Sequence, residues 1–321
     1  MPALKGLRNI KLFHPLFMAR DWVMDKTGLF LFKKKIKYRV FLKQLAREDQ
    51  ELKKEVAKKI LNLPDGFLGT NESIFVLSLT SHGKRVEDSL PYALYSLVTQ
   101  TVKPYRIAVY LDKANWSDEN LPPLLIKLKQ VGVSFFYCDD LLSYKKLIPA
   151  LEQFPNNPII TFDDDFYYNS QYLEWMSAAY QESDKQTVLG SWGCIPEKQD
   201  GKYLPYNEWK DCMYWTEGMP ISFFGGNGTC YPPNLFDDEI RNSDVFLKIC
   251  PKADDIWFWA MEERLGIKRA YITPKGYGYH RSVDRIYEYQ VGADGCLTLS
   301  NVINGENDVQ LKNVLDYYNL D

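Results

Sequence analysis

Residues 159–168 read I-I-T-F-D-D-D-F-Y-Y. The run Ile159–Phe162 is β-branched and aromatic, the composition of a buried strand, and it ends abruptly in Asp163, Asp164 and Asp165. Three adjacent carboxylates repel one another unless positive charge is placed among them. Side chains alternate along an extended backbone, so Asp163 and Asp165 are expected on one side and Asp164 on the other. Two carboxylates on one side can hold a hard divalent cation and leave it open positions for phosphate oxygens. The competing reading is a solvated acidic turn.

Upstream of this stretch, the pattern predicts strands over 74–79, 106–111 and 133–137, and helices over 88–99, 121–131 and 147–154. Strands alternating with helices at this spacing indicate βαβ units, hence an α/β fold with a mostly parallel, Rossmann-like sheet and flanking helices. Ligands of such sheets bind beyond the carboxyl ends of the strands. The loops at 80–85, 112–115, 139–142 and 163–167 should therefore share one rim. Downstream, 187–290 is rich in Trp, Tyr, Gly and Pro and alternates less regularly. Phe223–Thr229 reads as a strand running into Gly225-Gly226-Asn227-Gly228. Those glycines either permit close approach of a sugar or form an Asn-Gly hairpin turn. A helix is expected to open at A-D-D-I-W-F, with Asp254 at its cap and Gly266 as its stop. One aspartate suffices as a cap. The second is then free for chemistry, kept ionised by the helix dipole.

The 321 residues are 45% hydrophobic, enough for one large core plus an appendage. Charge is distributed unevenly: residues 1–60 carry 16 Lys and Arg against 6 Asp and Glu, leaving 23 against 36 in the body. An acidic body argues against nucleic acid as the main substrate, since that binding rests on phosphate neutralisation. An amphipathic helix is predicted over 42–63, ending at Pro64-Asp65-Gly66. The basic, aromatic first 60 residues suit an anionic membrane surface; alternatively, this helix packs on the main domain. No apolar run reaches the roughly 18–20 residues that span a bilayer. The cysteines at 138, 194, 212, 230, 250 and 296 form no C-x-x-C pair, and read as reduced thiols of a cytoplasmic protein.

Six segments in this order resemble the GT-A-type nucleotide-sugar-dependent glycosyltransferases of bacterial capsule, O-antigen and lipooligosaccharide assembly. They are I-F-V-L-S-L-T-S-H-G-K-R at 74–85, S-L-V-T-Q-T-V-K-P-Y-R-I-A-V-Y-L-D at 96–112, K-K-L-I-P-A-L at 145–151, I-I-T-F-D-D-D at 159–165, G-G-N-G-T at 225–229 and A-D-D-I-W-F at 253–258. The similarity spans about 72–285. It implies a GT-A domain at 71–290 (nucleotide-binding half 71–168, acceptor half 169–290); a basic helical segment at 1–70 and a helical extension at 291–321 fall outside it. It further implies Thr80, Ser81, Arg85, Asp139, Asp140, Asp163 and Asp164 around the nucleotide-sugar, with Lys146 at the diphosphate. Only one of Lys145 and Lys146 is expected to point inward. Mn²⁺ or Mg²⁺ would be held by Asp165, Asp163 and the late His280. Asp255 is the implied base, with Asp254 the alternative, and a base opposite the leaving group implies inversion. Trp192, Gly225, Gly226 and Asn227 would face the sugar or acceptor. The implied donor is a nucleotide-diphosphate sugar, a UDP-sugar foremost, and the acceptor a saccharide or lipid-linked sugar, handled in the cytoplasm or at the inner face of the membrane. Two other readings compete. One is a membrane-peripheral saccharide- or nucleotide-binding protein without catalysis. The other is a haloacid-dehalogenase-type phosphatase, although that family places its D-x-D on the first strand.

Overall fold

The computed structural model describes residues 47–69, 73–212, 220–272, 283–285 and 305–320. Most of the basic segment and His280 lie outside these residues. The chain divides into two units, Met1–Lys53 and Lys54–Asp321. In the first, residues 47–53 are helical and carry an Asp49–Lys53 ion pair at 3.3 Å, one turn apart.

The second unit opens with a helix at 54–62 and then alternates as the sequence predicts. Strand β1 (Val76–Thr80) is followed by a short helix α1 (Arg85–Asp88) and α2 (Leu90–Val98), then β2 (Arg106–Asp112), α3 (Pro123–Val131) and β3 (Ser134–Cys138). A 3₁₀ turn at Leu142–Lys146 leads into α4 (Ile148–Gln153), β4 (Ile159–Phe162), β5 (Phe166–Tyr168) and α5 (Tyr172–Glu182). Strands β6 (Thr187–Gly190), β7 (Gly193–Ile195), β8 (Lys198–Gln199), β9 (Lys202–Tyr203), β10 (Lys210–Cys212), β11 (Ser222–Phe223) and β12 (Asn227–Tyr231) come next. Helices α6 (Ser243–Ile249) and α7 (Asp254–Leu265), β13 (Lys268–Tyr271), β14 (Val283–Arg285) and α8 (Glu306–Tyr318) complete the described chain.

Seven strands form the main sheet in the order β13-β6-β12-β4-β1-β2-β3. Only β12 runs against its neighbours; β4, β1, β2 and β3 pair in parallel. The expected mostly parallel sheet with flanking helices is therefore present. Its two faces follow the period-2 rule. Leu77, Leu79, Ile160 and Phe162 pack with α2, α3, α5 and the helix at 54–62, while Val76, Ala108, Tyr110 and Ile159 pack with α4, α6, α7 and α8. Each face is hidden beneath helices, which is why the strands are continuously apolar rather than alternating in character.

Chain growth reverses at β1, which receives β2 on one side and β4 on the other. Such a reversal, here at the carboxyl ends of β1 and β4, marks the usual ligand position in sheets of this kind. Among the described residues, no helix is long and apolar enough to cross a membrane.

Candidate active site

Strand β4 ends at Phe162, and the backbone turns at Asp164–Asp165 before β5 begins. The extended alternation expected for the three aspartates does not apply in this turn, and the acids pair differently. Asp164 and Asp165 share one Arg85 nitrogen, Nη2, at 3.0 and 2.7 Å. Asp163 instead accepts a hydrogen bond from Lys146 Nζ at 2.7 Å. The positive charge that the acidic triplet requires thus comes from the first residue of α1 and from the 3₁₀ turn before α4.

Ser81 donates to Asp164, so the first-strand loop holds this acid with a hydroxyl and α1 holds it with a guanidinium. Burial still pushes the Asp164 carboxyl above its ordinary range, against the pull of Arg85 and Ser81. Thr80 does not join them, since its hydroxyl donates to the Tyr110 carbonyl on β2 at 2.8 Å.

Both neighbouring lysines turn inward, where only one was expected. Lys145 is 2% exposed and pairs with Asp140, while Lys146 is 5% exposed and pairs with Asp163. A 3₁₀ turn with an acid waiting on each side makes this double burial affordable. Asp140 also accepts the Leu142 N–H at 3.0 Å, just ahead of the turn. Asp139 points outward to Lys113, 2.8 Å away, with its side chain 78% exposed, and stands apart from the cluster. His82 lies near Arg85, Lys145 and Asp140; burial and the two cations hold its imidazole below the usual value.

Helix α7 delivers the second acidic pair. Its cap position is Ala253 and makes no side-chain capping bond, so neither aspartate is spent as a cap, contrary to expectation. Gly266 does stop the helix, in the left-handed conformation at φ 63°. Asp254 is buried, with Oδ2 at 3.2 Å from Lys146 Nζ. Asp255 keeps part of its surface exposed, but its carboxyl is enclosed and accepts the Gly225 N–H at 2.8 Å. Burial and the adjacent Asp254 push the Asp255 carboxyl up to about 7.

Gly225 and Gly226 form the turn between β11 and β12, closed by Asn227 N–H donating to the Phe224 carbonyl at 3.0 Å. They are small because carboxylates lie upon them. A Cβ on Gly225 would meet Asp255 Oδ1 at 2.9 Å, and one on Gly226 would overlap the Asp163 carboxylate. Asn227-Gly228 does not form the Asn-Gly hairpin; it begins β12 with a bulge against β4. Trp192 packs edge-on against Phe224 with centroids 5.9 Å apart. The Trp192 indole N–H and Asn227 Oδ1 are buried and have no hydrogen-bond partner among the described residues.

Tyr168 was not foreseen. Its hydroxyl accepts the Asp163 N–H at 2.8 Å and lies 2.7 Å from the Gly226 carbonyl, a suitable acceptor for its proton. This ties the acidic turn to the glycine turn. In sequence, Phe166 and Tyr167 read as the end of the rim loop, and nothing marks the hydroxyl of the next residue as structural.

Among the described residues, no three His, Cys, Asp or Glu side chains converge as a metal-ligand set. The antiparallel register of β14 on β5 sets Arg285 opposite Phe166 and Val283 opposite Tyr168. The late chain therefore returns beside the residue that follows Asp165. His280 precedes this strand and lies outside the described residues.

No family model and no curated protein matches the chain. Solved structures match at low identity. The S. aureus TarS fragment 1–349 in complex with UDP is 18% identical, with a TM-score of 0.40, over 65% of this chain and 60% of that one. GalNAc-T7 with UDP, GalNAc and Mn²⁺ is 13% identical at a TM-score of 0.44, over 74% and 48%. A cytidylyltransferase from Leptospira borgpetersenii serovar Hardjo-bovis is 14% identical at 0.40, over 77% and 95%. The chain thus spans less than two thirds of the first two. Likeness of this degree concerns the path of the chain and not its chemistry.

Proposed function

We propose that this protein is an inverting glycosyltransferase of the GT-A kind. It moves a sugar from a nucleoside diphosphate, a UDP-sugar foremost, to a hydroxyl of a saccharide or lipid-linked acceptor in bacterial surface-polysaccharide synthesis. One observation carries this reading. Adjacent residues of a single turn, Gly225 and Gly226, contact the Asp255 and Asp163 carboxylates respectively. A candidate base and a candidate donor anchor therefore stand side by side at the switch point of a parallel sheet.

In the reaction, Asp255 accepts the proton of the acceptor hydroxyl while that oxygen bonds to the anomeric carbon. The bond from that carbon to the phosphate oxygen breaks, and its electron pair leaves with the diphosphate. A base is most effective when its pKa lies near the working pH, and a carboxyl held at about 7 meets that condition. Gly225 N–H fixes the carboxylate's orientation without protonating it.

A divalent cation, Mg²⁺ or Mn²⁺, enters this proposal on charge alone, since no ready-made ligand set stands among the described residues. Asp163, Asp164, Asp165, Asp254 and Asp255 face two resident cations, Arg85 and Lys146, so the cluster is acidic before any diphosphate arrives. Asp165 and Asp163 would hold the ion, with His280 the further candidate. When bound, such an ion acts as a Lewis acid toward the departing phosphate. Ser81, Arg85 and Asp140 line the same rim and are the proposed nucleotide contacts.

The test is a thermal-shift panel of UDP-, GDP- and CMP-sugars with and without Mn²⁺, followed by turnover of the stabilising donor. Bound ligand raises apparent stability by mass action. Metal-enhanced stabilisation by one donor, abolished in Asp165→Asn, supports the proposal. Stabilisation without turnover would favour the non-catalytic binding protein, and no stabilisation by any donor would refute both.

A further inference from the structure

Lys146 is shared between acids on two different elements. Its ammonium donates to Asp163 Oδ1 at 2.7 Å and lies 3.2 Å from Asp254 Oδ2. The Lys146 and Asp254 side chains are 6% and 7% exposed, whereas that of Asp163 is 38% exposed. Asp254 Oδ2 has no hydrogen-bond partner among the described residues. Among those residues, Lys146 is also the one cation within 4.0 Å of Asp254. Two aspartates open α7 side by side, and mutual repulsion favours swinging the first turn outward. The buried ammonium opposes that movement.

We propose that Lys146 is a positioning residue that clamps the amino end of α7 against the acidic turn after β4, thereby holding the Asp255 carboxylate on the Gly225 N–H. The inference deepens the transferase reading and rests on it. Removing the ammonium leaves Asp254 buried without a compensating charge, a state relieved by protonation or by displacement of the helix end. Asp255 is the next residue and moves with it. The donor side suffers less, because Asp164 and Asp165 keep Arg85, and Asp163 keeps its contact with water. A clamp and a simple diphosphate ligand therefore predict opposite kinetic signatures.

The experiment compares wild type, Lys146→Met, Lys146→Arg, Asp254→Asn and Lys146→Met/Asp254→Asn. UDP affinity is measured by calorimetry in Mn²⁺. Release of UDP from UDP-GlcNAc, UDP-GalNAc, UDP-glucose and UDP-galactose gives kcat and KM. A misplaced general base costs about 10²–10⁴ in rate, so Lys146→Met should lose at least tenfold in kcat, with UDP affinity within about threefold and Lys146→Arg recovering most of the loss. Melting provides an arm independent of turnover: residues in contact are non-additive, so Asp254→Asn should restore most of the Tm lost in Lys146→Met. Tenfold weaker UDP binding with kcat preserved would overturn the clamp, as would a Tm loss that Asp254→Asn leaves untouched. Wild type that turns over none of these four donors, nor any GDP- or CMP-sugar of the thermal-shift panel, would overturn the parent reading instead, visible before any variant is made.

Discussion

The Asp255 carboxyl gives the sharpest test, because one substitution must change rate and stability in opposite directions. Burial and the neighbouring Asp254 hold this group at about 7, against 3.8 in an unstructured chain. At about 1.4 kcal/mol per pH unit, ionising it in the fold costs up to roughly 4 kcal/mol more than in the unfolded chain. A raised carboxyl contributes nothing adverse below pH 4, where both states are protonated. Its penalty grows as pH climbs from about 4 to 7, and is complete above that. Asp255→Asn keeps the shape and an oxygen for the Gly225 N–H, but cannot ionise. The variant should match wild type in stability near pH 3 and exceed it by up to about 4 kcal/mol at pH 8. Turnover should move the other way. In wild type, log kcat/KM should rise with unit slope to a plateau near pH 7, and Asp255→Asn should lose about 10²–10⁴ of that plateau together with the slope. Urea melts at several pH values and UDP-release kinetics across the same range read both quantities. A stability difference that stays flat with pH, or a variant that retains the plateau rate, would refute the assignment of Asp255 as an elevated base.

Three further substitutions and one deletion probe the surrounding frame. Gly226→Ala drives a methyl into the Asp163 carboxylate; overpacking of this kind costs about 1–3 kcal/mol, and metal-enhanced donor stabilisation in the thermal-shift assay should vanish. Arg85→Met strips the shared cation from buried Asp164 and Asp165, with an expected loss of about 3–5 kcal/mol. That loss should be larger at pH 8 than at pH 5, because Asp164 is already raised and rises further; equal losses at both pH values would contradict the pairing. Tyr168→Phe removes the hydroxyl that ties Asp163 to Gly226, and chemical melts should show a cost of about 1–3 kcal/mol. For the basic, aromatic first 46 residues, flotation with anionic liposomes should recover full-length protein and leave a 1–46 deletion behind; equal recovery would remove the proposed membrane contact.

What the sequence disclosed, and what it hid, divides along one physical line. The strands at 106–111 and 133–137 and the helix at 121–131 are legible because burial on both faces imposes a local pattern, and the structure sets them within about two residues of expectation. The C-terminal stop at Gly266 is legible for the same local reason. The acidic triplet was misread in its geometry because the alternation rule holds only while the chain is extended, and β4 has already ended at Phe162. Its neutralising cations were invisible as partners: Arg85 stands some eighty residues earlier and Lys146 belongs to another turn, so their approach is a property of the sheet order alone. Glycines 225 and 226 show the limit most clearly. Read locally, they promise empty space for a sugar; in the fold, Asp255 and Asp163 occupy that space. The absence of a side chain at each position is thus what lets two acids from distant elements stand together, and a site built this way announces its chemistry in the carboxylates while concealing its architecture in the residues that make room for them.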